Sequence, residues 1–265
     1  MSFNEDVFKH LALYKKNVLG ILEDGIFRYG GKEIFKPYIL PSGYEDKNFP
    51  ADFEFSIKKN TLFIDTLPPI SLHRYYHHLN SSQVLCISYF YGFIKDKERL
   101  FSLCEFLGVA KPSGACFEFI ENEHEGTNVD FAILLENGSR VYFEIKYTEE
   151  NFGSVGKVLG SKSEAETRAY YLDRKKRFYS LVEIGDNDYL KHYQVVRNIS
   201  LCPKSSGNKT VFLIPRANES VCRSLDYGLG AIGNLSEFNY DIIYWEELLE
   251  KFPNESVFKK YFDLK

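Results

Sequence analysis

Asp130, Glu144 and Lys146 are the residues of this chain whose types and spacing could do chemistry. Asp130 lies in Asn128-Val129-Asp130-Phe131-Ala132-Ile133-Leu134, and the other two lie in Val141-Tyr142-Phe143-Glu144-Ile145-Lys146-Tyr147. Two carboxylates can hold Mg²⁺, a hard cation that prefers oxygen ligands and keeps several waters. Such a metal lowers the pKa of a bound water and neutralises charge growing on a scissile phosphate. A lysine is a compact ammonium that can orient that water and stabilise the same charge. Glu144 and Lys146 are two apart, so one strand fixes both, and the Ile145 carbonyl between them could add a metal ligand. This is the layout a metal-dependent phosphodiesterase needs. Glu-x-Lys on the wet face of a strand is also common as a plain solvated pair. The surrounding elements must decide.

Both segments alternate like half-buried strands, with Asn137-Gly138 between them as a turn. In the second strand Val141, Phe143, Ile145 and Tyr147 share one face, so Glu144 and Lys146 point together from the other. In the first, Val129, Phe131 and Ile133 share a face and Asp130 points away. Paired as a hairpin, the strands bring the carboxylates and the lysine together. A third acidic strand, Ala115-Cys116-Phe117-Glu118-Phe119-Ile120, comes just before, with Phe117 and Phe119 opposite Glu118. Helices are expected over 83–94 and around Leu100, Leu103, Cys104 and Leu107, whose spacing makes one apolar stripe. After the hairpin come a basic helix over 168–178 and another over 188–202. A buried strand over 209–215, a strand over 240–245 and a closing helix from 246 to 252 follow. Residues 1–79 mix a helix over 7–23 with extended pieces punctuated by Gly30-Gly31, Pro41-Ser42-Gly43 and Leu67-Pro68-Pro69.

Strand–strand–strand–helix–strand with acids on the strands resembles the PD-(D/E)xK superfamily, the restriction-endonuclease-like nucleases. Within it the chain looks most like bacterial proteins grouped as restriction endonucleases. The closer likeness rests on His78-Leu79-Asn80-Ser81-Ser82-Gln83, Phe117-Glu118-Phe119, Asp130, Phe143-Glu144-Ile145-Lys146-Tyr147-Thr148-Glu149, Phe152-Gly153 and Tyr193-Gln194-Val195-Val196-Arg197-Asn198. It extends weakly to Gly25-Ile26-Phe27-Arg28 and Tyr38-Ile39-Leu40-Pro41, and no proline precedes Asp130. The resemblance implies an α/β fold with a restriction-endonuclease-like core, a mixed central β-sheet flanked by helices. It also implies Mg²⁺-dependent cleavage of DNA, with Mn²⁺ as a substitute metal. The metal would sit at Asp130 and Glu144 with Lys146 beside them. The core would span 80–265, and 1–79 would be an N-terminal α+β elaboration.

Several further residues bear on such a site. Glu118 and Glu105 compete for an additional acidic role; strand parity favours Glu118, and helical-wheel counting places Glu105 opposite its apolar stripe. Gln83 falls on the apolar face of its helix, but Asn80 as N-cap with Gln83 at N3 reads first as a capping box. Gln194 and Arg197 lie three apart in a helix. In related nucleases such a glutamine holds the water or a phosphate; a polar edge at a helix–sheet boundary is the equal alternative. Arg174-Lys175-Lys176-Arg177, with Lys157, Lys162 and Arg168 upstream, offers phosphate contacts, and Tyr170, Tyr171, Phe178 and Tyr179 among them offer stacking on bases. A charge run is also the ordinary solvated face of a helix. His73 and His77 have zinc-ligand spacing but no accompanying His-Glu-x-x-His pattern.

Composition sets bounds. A chain of 265 residues, 44% hydrophobic and 16% aromatic, can bury one substantial core. A net charge of −4 excludes a protein that coats nucleic acid non-specifically and requires any DNA contact to use a local basic surface. No P-loop is present, so nucleotide hydrolysis is not expected. The N-terminus lacks a basic n-region with an apolar h-region, and the longest nearly apolar run, 84–94, is too short to span a bilayer. Five cysteines without a Cys-x-x-Cys pair read as buried thiols of a reducing cytoplasm. The expected activity is an endonuclease on DNA, with a homodimer as the plausible assembly, since double-strand cutters commonly pair two sites. The rival reading is a non-catalytic module that binds nucleic acid or protein on the same fold.

Overall fold

The computed structural model describes residues 2–53, 72–155 and 163–264. The turn signal at Leu67-Pro68-Pro69 and the lysines Lys157 and Lys162 lie outside the described residues. Helix α1 (Phe3–Asn17) starts earlier than its apolar spacing implies, because Ser2 and Glu5 form a reciprocal capping box. It also ends earlier, before Gly20, whose φ of 69° is left-handed. Strands β1 (Gly25–Tyr29) and β2 (Lys32–Lys36) form an antiparallel hairpin. Its turn uses Gly30 and Gly31, both at positive φ, which glycine adopts without steric cost.

Helix α2 (Ser82–Lys95) leads directly into α3 (Lys97–Phe106), with Asp96 as the end of one and the N-cap of the next. The antiparallel strands β3 (Pro112–Ile120), β4 (Asn128–Leu135) and β5 (Arg140–Ile145) follow, the last two joined through Asn137-Gly138. Helices α4 (Glu164–Phe178), α5 (Asp186–Lys191) and α6 (Tyr193–Ser200) then carry the chain to β6 (Lys209–Ile214), parallel to β5. Helix α7 (Glu219–Gly230) crosses to β7 (Tyr240–Tyr244), parallel to β6. The chain ends in α8 (Trp245–Lys251), α9 (Glu255–Val257) and a π turn, Phe258–Phe262. The central sheet is therefore mixed, in the order β3-β4-β5-β6-β7.

Period-2 burial makes this a three-layer α/β fold. Val141, Phe143 and Ile145 of β5, with Val211 and Leu213 of β6, face α1, α2, α3 and α8 in one core. Phe90 of α2 stacks on Phe131 at 4.4 Å and meets Phe143 at 5.1 Å, while Trp245 is fully buried. Phe212 and Ile214 point the other way, into a second core with α5, α6 and α7. Val7, Leu11, Leu40 and Phe49 from the N-terminal part belong to the first core. This architecture is the restriction-endonuclease-like α/β fold. Among the described residues no helix is long and apolar enough to cross a membrane. Cys86, Cys104, Cys116 and Cys202 are buried thiols; Cys222 is only half-buried.

Two helical expectations need correction. The single helix expected over 188–202 is two, broken at His192 (φ −119°, ψ 30°). The break lets Tyr189 and Tyr193 pack together near Tyr179, with ring centroids 5.8 Å apart, while α6 turns Arg197 toward β5. Helix α7 was not anticipated. Its signals are the N-cap Asn218 and the apolar positions Val221, Leu225 and Leu229. Gly228, Gly230 and Gly233 there spell Gly-x-Gly-x-x-Gly, but at the C-terminal end of a helix. A dinucleotide fingerprint needs a strand-to-helix turn, so the run carries no such role. Gly228 instead admits Val195, which a Cβ would meet at 2.9 Å.

Candidate active site

The ladder between β4 and β5 stops at Phe131↔Phe143. Beyond it the Ile145 amide donates instead to the Asp130 carboxylate, at 2.6 Å to Oδ2. That bond parts the strands where Glu144 and Lys146 emerge from the sheet toward α6. Glu144 is 3% exposed and accepts from Lys146 Nζ on Oε1 and from Arg197 Nη2 on Oε2, each at 2.6 Å. Asp130 and Glu144 are close enough to raise each other's electrostatic cost. The structure thus brings Asp130, Glu144, Lys146 and Arg197 together at one end of the sheet.

Glu118 joins them by a backbone device the alternation pattern conceals. Its φ is 52°, the only positive value for a non-glycine residue among the described residues. Such a conformation costs of order 1–3 kcal/mol and persists where neighbours over-determine it. It reverses the side-chain parity of β3. Phe117 packs in the first core, whereas Phe119 lies beside Tyr142, in the separate cluster of Cys116, Val129 and Ala132. The expectation that Phe117 and Phe119 share a face is corrected accordingly. The same holds for Val129, which packs in the cluster across the sheet from Phe131 and Ile133.

Two amides hold Glu118 in place. Gln83 Nε2 donates to Oε1 at 2.7 Å, and Asn128 Nδ2 donates to Oε2. Gln83 is itself fixed by the His73 amide, 2.9 Å from its Oε1. It stands second in α2, not third, because Ser81 is the N-cap; the Asn80 amide instead donates to Thr148 Oγ1 at 2.9 Å. The capping box expected there is absent, and Gln83 serves Glu118. Its apolar-face position and its place in the His78–Gln83 run are the sequence signals that single it out. Glu105 is exposed on α3 and makes none of these contacts.

Electrostatics follow from burial among like charges. Burial, then repulsion by Glu144, pushes the Glu118 carboxyl up to about 7. Burial and the Glu144 charge push Asp130 well above the usual carboxylate range. Burial would raise Glu144 too, but Lys146 and Arg197 together hold it below its ordinary value. Lys146 stays protonated because Glu144 and Asp130 outweigh its burial. With all ionised, three carboxylates face two cations. Asp130 Oδ1 makes no hydrogen bond among the described residues.

On α6, Gln194 Oε1 and Arg197 Nε are buried without hydrogen-bond partners among the described residues. The Gln194 side chain lies over Gly153, where a Cβ would come within 2.3 Å of its Cδ. A Gly153→Ala variant is therefore expected to displace Gln194, and the φ of 84° adds strain. We expect a loss of roughly 1–3 kcal/mol of stability, checked by urea unfolding; an unchanged midpoint would disprove the close approach.

The basic run of α4 is largely engaged internally. Arg174 pairs with Glu125 in the β3–β4 loop, and Tyr179 and Tyr193 donate to the same carboxylate. Lys175 bonds the Ile184 carbonyl at 2.6 Å and Asp186 at 2.8 Å. Arg177 pairs with Asp173 on the exposed face, and Lys176 is exposed. These contacts strap α4 to the loop beside the carboxylates. A cleft lined by Glu125, Thr127, Phe178, Tyr179 and Arg197 runs between them.

Among the described residues no cluster of three or more His, Cys, Asp or Glu side chains is arranged to cage a metal, His73 and His77 included. A hard cation that keeps its waters requires fewer protein ligands than that. Comparison with curated proteins and with solved structures gave no match. A protein-family model described as "Restriction Endonuclease associating with ARP" matches residues 9–265. Nearly the whole chain is covered, and it belongs to this family of restriction endonucleases.

Proposed function

We propose that the protein is an Mg²⁺-dependent endonuclease of the PD-(D/E)xK type that hydrolyses phosphodiester bonds in DNA. The observation that carries this reading is the convergence of Asp130, Glu144 and Lys146 at the parted end of β4 and β5. The donor set fits a divalent cation: crowded carboxylates repel one another, and Asp130 Oδ1 is free of hydrogen bonds among the described residues. Asp130 and Glu144 would hold the metal with the Ile145 carbonyl, and Mn²⁺ would substitute. When bound, Mg²⁺ would supply a water of lowered pKa and neutralise charge on the scissile phosphate.

The protein's own groups do the rest. Lys146, protonated and fixed by Glu144, orients the attacking water and faces the developing charge. Glu118, with its carboxyl near 7, is poised to take up or release a proton at neutral pH. The unpartnered Gln194 amide oxygen offers a second anchor for water. Exposed Lys176 and Arg177 are the residues of the basic run best placed to meet phosphates; Arg174 and Lys175 would do so by exchanging internal partners. In-line attack would leave a 5′-phosphate and a 3′-hydroxyl. A homodimer would bring one site to each strand. The family's description names ARP as an associate, and we extend that association to this chain.

The test is cleavage of supercoiled, linear and single-stranded DNA, with RNA alongside, in Mg²⁺, Mn²⁺ or EDTA. Wild type is expected to cut DNA with either metal and not in EDTA. Lys146→Ala is expected to be about 10²-fold slower or worse, the loss typical of one charge-stabilising group. A folded protein that binds DNA without cutting any substrate would instead be the binding module.

A further inference from the structure

We propose that Arg197 is an exchangeable counter-ion that couples metal binding to DNA binding. It neutralises Glu144 while no metal is present and passes to a DNA phosphate when a divalent cation takes its place. The inference rests on the reading of Glu144 as a metal ligand. Both oxygens of this buried carboxylate are taken, each by a cation at 2.6 Å. A metal at about 2 Å from either oxygen would crowd and repel a partner held there. Repulsion between the metal and these cations favours the release of one of the two.

The surroundings say which. Lys146 is anchored along its length. Its backbone bonds Leu213 and Trp245, its ammonium lies 5.3 Å from the Phe152 ring, and Asp130 and Glu149 favour its charge besides Glu144. Arg197 reaches in from another layer. Its side-chain hydrogen bonds among the described residues all use one terminal nitrogen, to Glu144 at 2.6 Å and to Asn198 Oδ1 at a marginal 3.4 Å. Its Nε is buried with no partner among the described residues. A guanidinium has five N–H donors in a planar fork suited to phosphate, and most of that capacity is idle here. The side chain also lines the cleft between the β3–β4 loop and α4, from which a phosphate could approach.

Linkage then requires each ligand to raise the other's affinity by the same factor. Mn²⁺ binding is measured by electron paramagnetic resonance without DNA, and binding of a short labelled duplex by fluorescence anisotropy with Ca²⁺ or EDTA. In wild type, Ca²⁺ is expected to tighten duplex binding about tenfold. Arg197→Ala is expected to bind Mn²⁺ about tenfold tighter than wild type, its competitor gone, and to lose the Ca²⁺ enhancement. Arg197→Lys keeps the charge but not the fork. It should bind Mn²⁺ as wild type does and show a smaller enhancement, which guards against misreading a folding defect. Unchanged or weaker Mn²⁺ binding by a folded Arg197→Ala, with Glu144→Gln unable to bind, would overturn the exchange while leaving the metal site standing. Wild type that binds no Mn²⁺ would overturn both.

Discussion

Glu144→Ala is expected to destabilise the metal-free protein by about 3–5 kcal/mol, because it strands two buried cations. Lys146 and Arg197 have side chains only 10% and 11% exposed, and Glu144 is the carboxylate that both contact. Asp130→Asn is expected to act in the opposite direction. Burial and the Glu144 charge penalise the Asp130 carboxylate, and an asparagine oxygen can still accept the Ile145 amide. The sign follows from linkage. A carboxyl whose folded pKa is raised holds a proton that the unfolded chain has released, so its ionised form destabilises the fold as pH rises. Removing that charge should raise the urea midpoint at pH 8 in EDTA, while Glu144→Ala lowers it. Both variants are expected to lose cleavage. Stability sacrificed at Asp130 and retained at Glu144 is what a site organised for a ligand shows. Shifts of the same sign in both variants would contradict the charge arrangement described above.

What could be read from the sequence follows from which forces are local. Alternation in 128–135 and 140–145, with Asn137-Gly138 between, is a local pattern, and it placed Glu144 and Lys146 on one face. The same rule failed at Glu118, because it assumes every residue is extended, and at Val129, which faces away from Phe131. A single residue at φ 52° reverses parity, and nothing in Phe-Glu-Phe announces that. The clamp on Glu118 comes from Gln83, 35 positions away, and Arg197 meets Glu144 across 53 positions. Pairings at such separations are decided by packing of layers. Arg174 illustrates the converse. In the chain it reads as one of four adjacent cations; in the fold its charge is answered by Glu125 in a different loop. The break at His192 likewise serves tyrosine packing between α5 and α6, which no helix signal records.

Stability should respond to pH in two opposed ways, one from each side of the molecule. Lys260 is 6% exposed, and among the described residues its ammonium bonds only the Asn48 carbonyl and Oδ1, at 2.5 and 2.7 Å. With no carboxylate paired to it among the described residues, burial pushes its pKa from 10.5 down to about 7. Below pH 7 both folded and unfolded chains carry the proton, and the fold bears the whole cost of a buried charge. Between about 7 and 10.5 only the unfolded chain keeps it, so stability rises with pH, by about 2 kcal/mol from pH 7 to 8.5. Glu118 has the opposite sign. Its pKa rises from 4.5 to about 7, so the folded state holds a proton in that window that the unfolded chain has lost. Stability therefore falls as pH climbs through it, by roughly 3 kcal/mol in total. Urea midpoints at pH 5, 7 and 8.5 in EDTA separate the two when each variant is compared with wild type. Lys260→Met should remove the rise above pH 7, and Glu118→Gln should remove the fall below it. The differences matter more than the absolute midpoints, since each variant also leaves neighbouring polar groups short of a partner, both Asn48 acceptors in the case of Lys260→Met. If Lys260→Met retained the alkaline rise, the charge buried against Asn48 would not be its source. Should both hold, the Lys260 and Glu118 penalties together are greatest near pH 7, and the raised Asp130 carboxyl adds its own fall as pH rises further. A divalent ion at the carboxylates would relieve the Glu118 side alone.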